Sequence, residues 1–406
     1  MKCHLLPALA LLGLAAATVA AAQDATIVNA HIIESNGTVI ERGSIVVRGG
    51  KIVSVAAGAP SQRVGQVIDA KGMTAMPGYI DGHKHINTGP LEKEQMRDLI
   101  EAGFTTVLSG GGPGDGGIAL RDHIESGLIN GPRVIPSERV NLRGARLLGR
   151  AAVRAMAAKG IRHTGEMAVT PEPGPSPAEI AVLKATLDEA AKLGVTVHVH
   201  AVSTPAMVAA TEAGVRHQVH LPNKDFMGYD DAAAIAGSGT IVLDLISFGA
   251  PIIDVFAKDD KPRFRTGLEW PESIAGANRD DKGRATGTEA AYTLINARRI
   301  WDASGGTGLG YGSDQNYPVK DVLEHELKSL AVMFSPQDIF RIIGPNTARY
   351  LGLQDQIGTL EPGKLADIVI LDGDPMQDFH NMLKARLVLK AGKVVVDKRQ
   401  AAGNGG

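Results

Sequence analysis

From Pro77 to about Leu353 the chain alternates short β-prone runs with capped, amphipathic helices, and that rhythm limits what it can fold into more than any other feature. One unit shows the logic. Ser176, Pro177 and Glu179 supply an N-cap, a proline at the first helical position and the outline of a capping box. Ile180, Leu183, Leu187 and Ala191 recur on one helical face, and Gly194 ends the helix. "VTVHVH" follows as a strand, Thr204 and Pro205 open the next helix, Gly214 stops it, and "VRHQVH" is a strand again. Repeated units of this kind predict an α/β fold, a (β/α)8 TIM-type barrel of parallel strands, and 77–353 is the right length for eight units.

The flanks differ. From Ala25 to Met76, "ATIVNAHII", "GSIVVRGGKIVSVAA" and "QVIDAKGM" are separated by Asn-Gly and Gly-Gly turns, a hairpin pattern. After Leu353, "ADIVILDGDP" and "RLVLKAGKVVVDKR" return to it. The expected division is a signal peptide at 1–22, the N-terminal part of a small β-sandwich at 23–76, the barrel at 77–353, and the C-terminal part of the sandwich with a tail at 354–406. Both ends of the chain build that composite domain.

The first residues, "MKCHLLPALALLGLAAATVAAAQDA", have a short basic start, an alanine-rich apolar run and small residues before Gln23, the layout of a cleaved secretory signal. Export to the periplasm or beyond is expected, with no membrane span after cleavage. The single cysteine, Cys3, falls inside the signal, which leaves no disulfide and no thiolate ligand. With 42 basic and 44 acidic residues the chain has no electrostatic footprint for nucleic acid or an anionic membrane.

In a barrel, catalytic residues stand at the C-terminal ends of strands. His83 and His85, in "PGYIDGHKH", end the first strand and point to one face because strand side chains alternate. Glu166 ends "GIRHTGE", His200 ends "VTVHVH", His220 ends "VRHQVH", and Asp314 follows "GLGYGS". These nitrogen and oxygen donors suit zinc, manganese, iron or cobalt. His198 shares a face with His200 and is expected in the core or behind the ligands. His163 and His217, on faces opposite Glu166 and His220, are expected to be structural or turned toward the helices. His31, His123, His325 and His380 are expected at the surface or in packing. The glycine-rich 109–117 lacks a phosphate-loop pattern and is expected to be a flexible loop. Arg139, Arg143, Arg146 and Arg150 read as a solvated basic face or a substrate carboxylate clamp. The long segment 248–287 is expected to be a lid.

"PGYIDGHKH", the twenty-residue gap from His200 to His220, "GYGSD", "GPNTARYLGL" and "IGTLEPGKLADIVILDGDP" resemble the amidohydrolase superfamily, in the branch of imidazolonepropionases, enamidase and ochratoxinase-like or prolidase-like hydrolases. The resemblance covers nearly the whole chain after the signal. It implies a distorted barrel, a small β-sandwich and one or two divalent metal ions, zinc first, with iron or manganese as alternatives. His83, His85 and Asp314 would hold one ion and His200 and His220 the other. Many binuclear relatives bridge their metals with a carboxylated lysine at the end of the fourth strand. Here "GIRHTGEMAVTPEP" has no lysine, and Glu166 is similar to the bridging glutamate of enamidase. Lys159 is the rival bridge, but it precedes the strand. The implied activity is hydrolysis of a C–N bond through a metal-activated hydroxide, with Asp314 as general acid and base. The substrate would be a small amide, lactam or dipeptide. A deaminase, a prolidase-like dipeptidase or carboxypeptidase, and a non-catalytic barrel are the alternatives. A homo-oligomer is compatible with all of them.

Overall fold

A computed structural model describes residues 24–140, 146–246, 287–314 and 318–399. The signal region and the proposed lid lie outside the described residues.

The two ends of the chain meet in one sheet. β1 (Ala25–Ile33), β2 (Val39–Arg48), β3 (Lys51–Ala57), β4 (Gln66–Asp69) and β5 (Thr74–Pro77) come from the N-terminal side, and β15 (Ile368–Leu371), β16 (Ala385–Lys390) and β17 (Lys393–Asp397) from the C-terminal side. Their order is β17-β16-β15-β5-β1-β2-β3, with β4 paired to β1. The join is the antiparallel pair of β5 and β15, Thr74 opposite Leu371 and Pro77 opposite Ile368. Ile27, Ile45 and Ile68 pack with Ile368, Leu387 and Leu389 in an apolar core of their own. Burying each such side chain stabilises by about 1.5–3 kcal/mol, which joins sequence-distant segments without a cross-link.

Between these segments run the parallel strands: β6 (Tyr79–Lys84), β7 (Phe104–Ser109), β8 (Arg133–Ile135), β9 (Ser137–Glu138), β10 (His163–Ala168), β11 (Thr196–His200), β12 (His217–Val219), β13 (Ile241–Leu243) and β14 (Leu309–Gly310). They form two sheets, β6-β7-β8 and β14-β13-β12-β11-β10-β9. β8 and β9 are one passage of chain interrupted at Pro136, which cannot donate to a ladder. At the far edges, Gly82 N–H donates to the Tyr311 carbonyl at 2.9 Å and Asp314 N–H to the His83 carbonyl at 2.8 Å, so the segment that follows β14 hydrogen-bonds to β6.

The intervening helices include α1 (Glu92–Ala102), α2 (Gly114–Glu125), α3 (Arg146–Ala158), α4 (Pro177–Leu193) and α5 (Thr204–Ala213). α4 starts and stops where its sequence directs: Ser176 Oγ accepts from Glu179 N–H and Gly194 adopts a φ of 62°. The reciprocal half of the capping box does not form. The Glu179 carboxylate accepts from Thr170 N–H at 2.7 Å, tying the helix to the preceding loop. The buried stripe of α4 also lies to one side of the expected one, on Val182, Leu183, Thr186 and Ala190, because the helix packs against both α3 and the sheet. Ser203 caps α5 and Gly214, at φ 108°, closes it. Among the described residues, four more helices follow: α6 (Tyr229–Gly237), α7 (Gly287–Ala303), α8 (Val319–Leu330) and α9 (Pro336–Arg341). A π-helical turn, Ile342–Asn346, then leads into α10 (Thr347–Tyr350). Among the described residues, no helix is long and apolar enough to cross a membrane.

Candidate active site

The structure brings His83, His85, Glu166, His200, His220 and Asp314 together at the C-terminal ends of the parallel strands. Glu166 is the hub. Its Oε2 lies 2.7 Å from His200 Nδ1, 3.3 Å from His220 Nε2 and 3.8 Å from His83 Nε2, and its Oε1 lies 3.5 Å from His85 Nε2. Asp314 Oδ1 stands 3.1 Å from His83 Nε2 and 2.9 Å from His85 Nε2. The donor atoms fall into two groups, each within 4.8 Å: His83, His85, Glu166 and Asp314 in one, Glu166, His200 and His220 in the other. Glu166 belongs to both.

Irregular backbone aims these side chains. Three residues from Asp81 to Lys84 span two on β7, and three from His163 to Glu166 span two on β11, so β6 and β10 each carry an extra residue beside their ligands. Such bulges turn side chains away from strict alternation. His220 and Asp314 have φ of 71° and 59°, a left-handed conformation unusual for non-glycine residues. Asp81, buried below His83, accepts from the N–H groups of His83 and Ser313 at 3.0 and 3.2 Å and holds the two site strands in register. Lys84, also buried, donates to Ser313 Oγ at 3.4 Å.

Except for Gly112, the glycines of 109–117 are packed. A Cβ on Gly110 would lie 2.9 Å from His83 Cε1 and Nε2, and one on Gly165 only 2.6 Å from Gly111 Cα. Close approach is their reason, and α2 already begins at Gly114. The expected flexible loop is therefore a wall of the site and the start of a helix.

Electrostatics favour two ionised carboxylates. Burial pushes Glu166 up, but hydrogen bonds from His200, His220 and His85 hold it well below the usual carboxylate range. Asp314 is likewise opposed by burial and lowered by His83 and His85. Burial pushes His85 down, yet Asp314 and Glu166 raise it to about 9. His220 is lowered by burial and by the neighbouring His200.

Behind the site lies a second histidine cluster. His198 Nε2 is 3.1 Å from His163 Nδ1, and His198 Nδ1 shares a 2.6 Å hydrogen bond with the Tyr350 hydroxyl. The His217 ring sits 5.5 Å from His198 and 5.1 Å from Tyr350. His198 is thus the buried partner expected of it. His163 and His217 are structural and gather around His198 and Tyr350: the bulge after His163 and the left-handed His220 break the alternation on which opposite faces depended. Burial, with His217 nearby, lowers His163 to about 4, and burial lowers His217 to about 4.

Lys159 does not approach the site; its Nζ pairs with Glu138 and Asp115, both at 3.2 Å. Arg150 donates to the Ala185 carbonyl and so serves helix packing, whereas Arg139 is exposed beside the site wall. Arg143 and the side chain of Arg146 lie outside the described residues. His31 neighbours Glu41 and Asp374, His123 neighbours Glu92, His380 pairs with Asp378, and His325 is buried on α8. Asp81, Lys84 and Tyr350 are missing from the sequence reading. An acid two residues before His83 was a usable signal for Asp81, whereas nothing local marks Tyr350.

Four imidazoles and two ionised carboxylates, all nitrogen and oxygen donors within reach of common points, fit a divalent metal ion. The profile of the amidohydrolase family matches residues 74–395. An imidazolonepropionase from Alkaliphilus metalliredigens is 24% identical over 88% of this chain and 91% of its own length. An N-acyl-D-aspartate deacylase from Alcaligenes xylosoxydans xylosoxydans is 37% identical over 87 residues, 21% of this chain, and the chain spans only 17% of that relative's length. The solved structure of a Xaa-Pro dipeptidase with bound methionine in the active site superposes with a TM-score of 0.75 at 22% identity, over 91% of this chain and 99% of the other.

Proposed function

Because this chain belongs to the amidohydrolase family, hydrolases acting on carbon–nitrogen bonds, we propose that it cleaves the amide or cyclic amide bond of a small molecule. The observation that carries this reading is the membership of Glu166 in both ligand groups. His83, His85 and Asp314 would hold one divalent ion and His200 and His220 a second, with Glu166 between them. Zinc fits the donors, as do iron and manganese. A divalent ion in such a site polarises a carbonyl and lowers the pKa of water from 15.7 to about 7.

The chain's own residues supply the rest. Glu166 stays a carboxylate across the neutral range and keeps His200 oriented through its 2.7 Å contact. Asp314 takes the proton from the attacking water at a carboxylate oxygen and returns it to the leaving nitrogen as the C–N bond breaks and the C–O bond forms. Gly110 packs closely against the His83 ring and limits its movement. Arg139, exposed at the rim, is placed to attract a substrate carboxylate, which suits an N-acyl amino acid or a dipeptide.

Around this site we take the parallel strands to close as a (β/α)8 barrel over 77–353 and the terminal strands to fold over as a β-sandwich. The N-terminal apolar stretch supports cleavage of 1–22 and work in the periplasm or outside the cell. The test is a panel of lactams, N-acyl amino acids, dipeptides and aminopurines, assayed with zinc or manganese and read by new amine and new carboxylate. Paired appearance of both products supports the proposal; release of ammonia from aminopurines alone, or no turnover of any class, overturns it.

A further inference from the structure

At the opposite end of the parallel strands from the histidines, a cavity of about 510 Å³ lies between α2, the start of β8 and the turn joining β16 to β17. Its lining carries Arg121, Arg133, Lys390 and Lys393 against one acid, Glu125. Asp367 neutralises Arg133 from behind at 2.8 Å, and exposed Asp122 accepts from Arg121 at 2.8 Å. Among the described residues neither lysine has a carboxylate at ion-pair distance, although Asp367 and Glu125 act on Lys390 from farther off; Lys390 Nζ donates to the Gly131 carbonyl at 2.5 Å, a neutral acceptor, and stays half-buried. Burial, with Arg133 and Lys393 close by, lowers Lys390 to about 8 against the opposing pull of Asp367 and Glu125. Cations crowded into a half-buried hollow repel one another, and an anion placed among them relieves that repulsion. The wall is not purely polar, since Ile129 and Val394 line it too. A site with an apolar wall and a few convergent charges is built for a molecule with a body as well as a charged head, and the volume suits a small organic ligand.

We infer that this cavity binds a small organic anion, with its carboxylate or phosphate held by Lys390, Lys393 and Arg133 and its apolar body against Ile129 and Val394. The site stands apart from the histidine cluster and rests on no assumption about the reaction. A ligand bridging α2 and β8 to the β16–β17 hairpin would tie the parallel-strand unit to the terminal sheet. Bound ligand stabilises the folded state by mass action, so the melting temperature reports occupancy.

The experiment is isothermal titration of the full chain with benzoate, phenyl phosphate, inorganic phosphate and neutral benzamide, with thermal melts in parallel. The same titrations are run on Lys393→Met, Lys390→Met/Lys393→Met and Glu166→Ala. The expected result is millimolar or tighter binding of benzoate and phenyl phosphate and none of benzamide. Affinity should fall at least tenfold in the double variant and less in the single, and remain in Glu166→Ala. The single variant alters an exposed side chain, which keeps the test valid if the double variant folds poorly. Binding abolished by Glu166→Ala but kept in the lysine variants would place the anion at the histidine site and overturn the inference. Absence of anion binding would overturn it equally. Tight binding of inorganic phosphate with no gain from the phenyl group would overturn the role of the apolar wall.

Discussion

Gly110→Ala is a substitution of one methyl group that should disable the metal site while leaving the fold standing. The new Cβ would lie 2.9 Å from both Cε1 and Nε2 of His83 and 3.3 Å from Nδ1. Carbon contacts settle at about 3.5–4.0 Å, so the ring must retreat by roughly 0.6–1.1 Å. It has little room to do so: His83 is 2% exposed, its Cβ already packs on Gly312, and the His85 ring stands edge-on at 5.2 Å. Metal–ligand distances tolerate about 0.2 Å, so His83 Nε2 would be lost as a ligand of the proposed metal. Affinity should fall by about 10–100-fold, the loss typical when the support of a ligand is disturbed. Gly112→Ala is the matched control, because a Cβ there meets nothing within 4 Å. Both variants would be stripped with chelator and titrated calorimetrically with zinc and with manganese, and melted in parallel. If Gly110→Ala binds metal like Gly112→Ala, the packing of His83 against the glycine wall does not govern the site.

Other consequences can be measured on the same protein. Asp81→Asn should weaken metal binding by about 10–100-fold with little change in secondary structure, since Asp81 holds the His83 and Ser313 backbones together; unchanged affinity would show that the register is fixed elsewhere. Tyr350→Phe removes the 2.6 Å partner of buried His198 and should cost about 1–3 kcal/mol in urea unfolding, and an unchanged midpoint would contradict it. In metal-free protein, His163 and His217 are lowered to about 4, so the unfolded chain binds more protons below about 6.5 and stability should fall as pH drops from there toward 4. His85, raised to about 9, works the other way: its contribution is full below about 6.5 and is lost as pH rises through 9. His163→Gln should flatten the acid limb, and His85→Gln the alkaline one; identical pH profiles in both variants would refute these assignments.

The division between what the sequence revealed and what it concealed follows the range of the interactions. Helix ends were readable because caps are local: Ser176, Gly194 and Gly214 act on their own helices. The six candidate ligands were readable because parallel strands deliver their C-terminal ends to one place, whatever the details of each strand. Faces were not. A bulge depends on the register of the neighbouring strand, so nothing in "GIRHTGE" announces that His163 and Glu166 escape alternation. The destination of Glu179 was hidden for the same reason, since it chose a loop amide over the reciprocal cap. Tyr350 supports a histidine 152 positions earlier in the chain, a pairing that only the assembled strands create. The glycines of 109–117 misled because openness and close packing demand the same residue.

The most direct test of a shared-carboxylate centre is the metal content of the chain purified without chelator, compared with Glu166→Ala after both are shown to be folded. Elemental analysis should find about two divalent ions per chain in the wild type, as in two-metal hydrolytic sites, and a clear loss in the variant. Absence of metal in the wild type, even after incubation with zinc or manganese, or an undiminished content in Glu166→Ala, would contradict the account.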